Sequence, residues 1–141
     1  MALLAKSIQI MGKALPKVLS PRAHAIADYS TAALFLAGSA LFWGRSKRAA
    51  AGSLICGTAG IAVAALTDYP GGVKTGMSFP LHKRIDFGLA SMAATMPAFL
   101  AFEDERETAF FRMQSALIAL VATLTDFEPQ LRAGEQERRT A

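Results

Sequence analysis

Charged residues are absent from four stretches of the chain: 29–44, 49–67, 87–102 and 113–125. Each run, with its flanks, approaches the roughly 20 residues that an α-helix needs to cross the hydrocarbon core of a bilayer. A chain of 141 residues has too little interior to hide four helices that are apolar all round. The pattern therefore predicts an all-α protein, a four-helix transmembrane bundle. Its spans are expected at about 22–43, 49–67, 82–102 and 108–127. Basic or acidic turns separate the members of each pair (Arg45, Lys47, Arg48; then Glu103 to Glu107), and the Pro- and Gly-rich linker 70–81 separates the pairs. Gly52, Ser53, Gly57, Gly60 and Ala64 in the second span suit close helix approach, and Pro97 is placed to kink the third. Tyr69-Pro70-Gly71-Gly72 reads as a turn, and the acidic run 103–107 as a solvated one.

Before the first span the pattern changes. Leu4, Ile8, Met11, Leu15 and Val18 recur at helical spacing, with Lys6, Lys13 and Lys17 opposite. Residues 1–20 are thus expected to form an amphipathic helix lying in the membrane interface, with Pro16 bending or stopping it. They lack the continuous apolar core of a secretory signal. Residues 21–127 form the transmembrane domain and 128–141 a polar tail.

The chain also repeats itself. His24, Asp28 and Asp68 recur at His82, Asp86 and Asp126, each displaced by 58 residues. At that offset Val63-Ala64-Ala65-Leu66-Thr67-Asp68-Tyr69 falls on Val121-Ala122-Thr123-Leu124-Thr125-Asp126-Phe127. Repeat one covers about 21–70 and repeat two about 79–129. Two spans per repeat return the chain to its starting side, so the halves share one orientation about an axis along the membrane normal. All six repeated polar residues then lie at one face.

Composition sharpens this picture. Apolar residues make up 52% of the chain and charged residues 18%, below the roughly 25% of a soluble domain. The net charge of +4 comes from Lys and Arg at the ends of apolar runs, which suits lipid headgroups and not nucleic acid. Ten of these residues lie on the side of the termini and the linker and five on the opposite turns. The bias predicts a multi-pass protein of the cell (inner) membrane with cytoplasmic termini. The single cysteine, Cys56, excludes a disulfide framework and reads as a buried thiol.

His24-Ala25-Ile26-Ala27-Asp28-Tyr29, Leu66-Thr67-Asp68-Tyr69-Pro70-Gly71-Gly72-Val73 and Phe79-Pro80-Leu81-His82-Lys83-Arg84-Ile85-Asp86 resemble the SPW-repeat-like small bacterial integral membrane proteins. The likeness covers roughly residues 22–127. Of the naming Ser-Pro-Trp tripeptide, Met96-Pro97-Ala98 keeps only the proline and Gly38-Ser39-Ala40 keeps nothing. The resemblance implies a two-repeat, four-helix membrane protein and brings no activity with it.

Chemistry concentrates in His24, Asp28, Asp68, His82, Asp86 and Asp126. Each histidine shares a helix face with an aspartate one turn later, and an acid near the hydrocarbon boundary needs a partner. Three readings stand. In the first, the six residues are structural. His and Asp pair within each repeat, and Asp68 and Asp126 find donors on a histidine or a neighbouring helix start. The second is a metal or haem site, with a carboxylate-bridged ion pair or a bis-histidine haem. The third is proton or ion coupling in a small carrier. The residues name no cofactor, and neither a phosphate-binding glycine loop nor a nucleophile with a base at recognisable spacing is present. The expected role is a non-enzymatic, structural or accessory membrane protein. Its expected partners are lipids, with a membrane-protein partner or a second copy possible and no nucleic acid.

Overall fold

The computed structural model describes residues 15–127 and 138–140. Four long helices follow one another: α1 (Pro21–Phe42), α2 (Lys47–Leu66), α3 (Phe79–Phe99) and α4 (Glu105–Leu124). The described residues contain no strand, only two isolated bridges, so the chain is all-α as expected. Residues 1–14 of the expected interfacial helix, and 128–137 of the tail, lie outside the described residues. The described end of that first segment, 15–20, is extended and not helical.

Each helix begins two or three residues earlier than its expected span, except α1, which begins one residue earlier. In α1, α2 and α3 the reason is capping. Ser20, Ser46 and Ser78 accept a hydrogen bond from the backbone N–H three residues on (Ala23, Ala49 and Leu81). Each satisfies one of the orphan donors of a first helical turn. Pro21 and Pro80 fit the first turns of α1 and α3 because no N–H is needed there.

α1 pairs most extensively with α2, and α3 with α4. Lighter contacts, α2 to α3 and α1 to α4, close the bundle. The α1–α2 approach depends on small residues: a Cβ on Gly57 would lie 2.9 Å from Leu36 Cδ2 and 3.1 Å from the Ala32 carbonyl oxygen. At the far end Phe35, Cys56, Met96, Phe102 and Phe111 form an apolar core. Cys56 is buried and free.

α1 and α2 are each long and apolar enough to cross a membrane. By that measure α3 and α4 fall short. α3 opens on Lys83, Arg84 and Asp86, and α4 on Glu105, Arg106, Glu107 and Arg112. One of these charges overturns an expectation. Glu107 does not lie in a solvated turn: it is 1% exposed and its Oε1 sits 3.3 Å from Arg45 Nε. The α1–α2 turn brings Arg45 over the start of α4, and pairing lets the carboxylate leave water.

The bundle end opposite this ion pair is built twice over. The backbone N–H groups of Leu19 and Met77 donate to the carbonyls of Leu124 (3.1 Å) and Leu66 (2.9 Å). Their own carbonyls accept from Asp126 (3.2 Å) and Asp68 (2.8 Å). Leu19 and Met77 are themselves 58 residues apart, as are Ser20 and Ser78. The strand-like segment before α1 is thereby tied to the end of α4, and the one before α3 to the end of α2.

Candidate metal centre

The cross-ties have a consequence for side chains. Thr67 and Thr125 end α2 and α4 in extended backbone, with φ,ψ of −88°,139° and −83°,136°. In extended backbone, adjacent side chains point to opposite sides. Both threonines are fully buried, whereas Asp68 is exposed and Asp126 half-buried. Each threonine hydroxyl donates to the carbonyl four residues back, Thr67 to Val63 (2.6 Å) and Thr125 to Val121 (2.7 Å). The Val121 carbonyl also accepts from the Thr125 backbone N–H, whereas the Thr67 N–H turns to the Ala64 carbonyl.

Each hydroxyl also meets a histidine from the other half of the chain. Thr67 Oγ1 lies 2.6 Å from His82 Nδ1, and Thr125 Oγ1 lies 2.7 Å from His24 Nδ1. A hydroxyl has one proton, and both threonines give theirs to a carbonyl. The Nδ1 atoms must therefore be the donors here. A neutral imidazole protonated at Nδ1 carries its lone pair on Nε2.

With both rings neutral, the two Nε2 lone pairs converge. His24 Nε2 and His82 Nε2 are 3.2 Å apart across the bundle axis. Around them stand two carboxylates, each presenting one oxygen to each ring. Asp28 Oδ1 is 3.3 Å from His24 Nε2 and its Oδ2 is 3.2 Å from His82 Nε2. Asp86 Oδ2 is 3.2 Å from His24 Nε2 and its Oδ1 is 3.0 Å from His82 Nε2. His24, His82 and Asp86 are buried and Asp28 nearly so. Asp86 Oδ2 nonetheless has no hydrogen-bond partner. Its separation from His24 suits a hydrogen bond but its direction does not.

These distances are compatible with a coordination shell. For donors about 2.0–2.2 Å from an ion, a tetrahedral edge is about 3.3–3.6 Å and an octahedral edge about 2.8–3.1 Å. The five N···N and N···O separations, 3.0 to 3.3 Å, fall across that interval. One ligand atom from each of His24, Asp28, His82 and Asp86 lies within 4.8 Å of all the others. Two imidazoles and two carboxylates suit a divalent first-row ion such as zinc, iron or manganese, and the two carboxylate charges would neutralise it.

The surroundings complete the site. Tyr69 donates its hydroxyl to Asp28 Oδ2 at 2.9 Å. Burial, followed by the Asp28 charge, pushes the Tyr69 pKa upward, so the phenol stays protonated and remains a donor. At the equivalent position the chain has Phe127, which offers Asp86 no such bond. Tyr69, Phe79 and Phe127, all buried, cover the centre on its outer side. Phe79 and Phe127 each place their ring centroid 5.3 Å from that of His24. Gly72 permits the turn behind them: a Cβ there would lie 1.9 Å from the Thr67 carbonyl oxygen, so only glycine fits.

Four of the six sequence-predicted residues therefore meet, and Asp68 and Asp126 stay outside the centre. With two carboxylates present, the site matches one ion and not a bridged pair. The geometry does not match a bis-histidine haem. Axial nitrogens about 2 Å away on opposite faces of a porphyrin would be farther apart than the 3.2 Å between these Nε2 atoms. Sequence reasoning missed Thr67 and Thr125, although both fall within the repeated Leu-Thr-Asp run.

Fold and site together define an all-α four-helix protein with a convergent two-histidine, two-aspartate centre at one end of the bundle. Compared with known proteins, the chain matches no family model, no curated protein and no solved structure.

Proposed function

We propose that the chain is an integral membrane protein of accessory type in which one divalent transition-metal ion fastens two tandem helical hairpins. The observation that carries this reading is the pair of Nε2 atoms, 3.2 Å apart. Threonine from the opposite hairpin fixes each of them, and both are aimed at a point that two buried carboxylates share. Orienting a ligand histidine through its other ring nitrogen is the usual outer-shell device of metal sites. Each hairpin supplies one histidine, one aspartate and the threonine that orients the other hairpin's histidine, so an ion here bonds both halves at once. In this reading His24, Asp28, His82 and Asp86 are ligands, and Asp68 and Asp126 serve the backbone ties beside them.

The membrane assignment is supported by α1 and α2 and by the outer surface of all four helices. That surface exposes Leu34, Leu41, Leu54, Ile55, Phe87, Met113, Leu117 and Leu120, apolar side chains on every helix that suit contact with lipid tails. The distribution of Lys and Arg favours the bacterial inner membrane with cytoplasmic termini, and likeness to the SPW-repeat-like proteins agrees with paired hairpins. Lipids are the surrounding partners.

The test is metal content. Protein purified in detergent is expected to carry one zinc, iron or manganese ion per chain by mass spectrometry, and Asp86→Asn and His24→Gln to carry none. Retention of the same ion in both variants, or a metal-free protein that takes up none of the three, would overturn the reading.

A further inference from the structure

A cavity opens on the inner side of the centre, within the bundle. Its walls come from all four helices and include Asp28, Thr31, Cys56, His82, Asp86 and Ile118. It offers about 20 Å³ to the centre of a water molecule, above the roughly 10–15 Å³ that one water needs. A bound water also needs two to four polar partners, and the walls supply them. Thr31 Oγ1 donates to the Asp28 carbonyl at 2.9 Å, which leaves its lone pairs to accept. Asp28, His82 and Asp86 share the wall with it. The rest of the lining is apolar, and the aromatic cover lies on the other side of the centre.

We infer that the ion keeps an exchangeable coordination position facing this cavity, filled by water or hydroxide and open to ligands of one or two heavy atoms. The inference rests on the metal reading above and deepens it. Four donors would saturate a tetrahedral zinc, whereas Mn(II) or Fe(II), which prefer six donors, would keep positions beyond them, and an open position separates reactive metal centres from purely structural ones. The ligand class follows from the volume: water, hydroxide or a diatomic such as nitric oxide fits, and an organic substrate does not.

The experiment uses the full-length protein in detergent, loaded with Mn(II) and exchanged into ¹⁷O-enriched water. Pulsed EPR is expected to show ¹⁷O coupling from one coordinated water. Val63→Phe and Leu89→Phe each fill the cavity from a different helix without touching a ligand, and should abolish the coupling while Mn(II) stays bound. Fe(II)-loaded protein should form a nitrosyl signal in the parent chain and not in these variants. Bound Mn(II) without ¹⁷O coupling in the parent chain overturns the open position and leaves the metal reading standing. Coupling that persists in both filled variants overturns its placement in the cavity. Failure to bind either ion overturns the metal reading itself.

Discussion

Replacing Thr67 by valine separates an oriented ligand from a merely packed histidine. Valine keeps the shape and removes the hydroxyl, so two contacts disappear: the 2.6 Å bond to the Val63 carbonyl and the 2.6 Å acceptance from His82 Nδ1. At a fully buried position the imidazole N–H is then left without an acceptor, which costs about 1–3 kcal/mol. Loss of an outer-shell partner of a metal-bound histidine typically weakens affinity about 10–100-fold, which corresponds to about 1.4–2.7 kcal/mol. The two routes agree, so a loss within that range is expected for Zn(II), measured by competition with a chromophoric chelator in detergent. Thr67→Ser should restore most of it. Thr58→Val is the control: the Thr58 hydroxyl makes the same backward bond, to Leu54 at 2.8 Å, but it is exposed and touches no imidazole. If Thr67→Val binds Zn(II) as tightly as Thr58→Val, the threonine does not orient a ligand, and the tautomer argument fails.

Other outcomes follow from the same geometry. Asp28→Asn should abolish Zn(II) binding in the same titration while Asp68→Asn leaves it intact, because only Asp28 lies in the centre; equal effects would contradict the donor assignment. His24→Ala and His82→Ala should lower the detergent melting temperature by similar amounts, since each removes one nitrogen from an equivalent setting. Chelation should lower the melting temperature too, because an ion at about 1,000 times its Kd contributes about 4 kcal/mol. That contribution should fade as pH falls, since the donors bind the ion only when deprotonated; a chelator effect that grows on acidification would refute it. Arg45→Ala should destabilise the opposite end of the bundle by about 1–3 kcal/mol by leaving the buried Glu107 carboxylate without its cation, read by thermal unfolding with Zn(II) affinity unchanged.

Much of this architecture was legible from spacing alone. The uncharged runs located all four helices, and the shared offset of His24-Asp28 and His82-Asp86 marked the residues that meet. The expected helix starts were late where a first turn is polar, at Lys47-Arg48 and at Glu105-Arg106-Glu107, because apolar periodicity does not register such a turn. The burial of Glu107 was hidden because its partner, Arg45, arrives from a different turn. Asp68 and Asp126 drew attention because a carboxylate near an apolar run demands a partner, yet the inward side chain is the preceding threonine. The reversal is one of backbone state. A helix continued to residue 68 would leave the aspartate and threonine on neighbouring faces, whereas the extended step at Thr67 and Thr125 sends them to opposite sides. Hydrophobic spacing carries no sign of that step.

The crossed wiring also bears on why one ion would suit this bundle. Within a hairpin, α1 and α2 or α3 and α4 already pack closely, while the contacts between hairpins are lighter. The backbone and imidazole links between hairpins gather at one end: Leu19 with Thr125, Met77 with Thr67, and each imidazole with the other half's threonine, while Arg45 with Glu107 and Arg48 with the Ala101 carbonyl join the other. Apolar helices surrounded by lipid gain no hydrophobic free energy from docking with one another, so a neutral assembly of two carboxylates, two imidazoles and a divalent ion would hold the halves where packing alone is weakest. A double substitution, Asp28→Asn with Asp86→Asn, tests this directly. It should leave each hairpin's helicity by circular dichroism unchanged and let the hairpins separate, read as a loss of spin-label proximity between sites on α1 and α3. Helicity lost together with proximity would mean that the centre holds the helices themselves and not their docking.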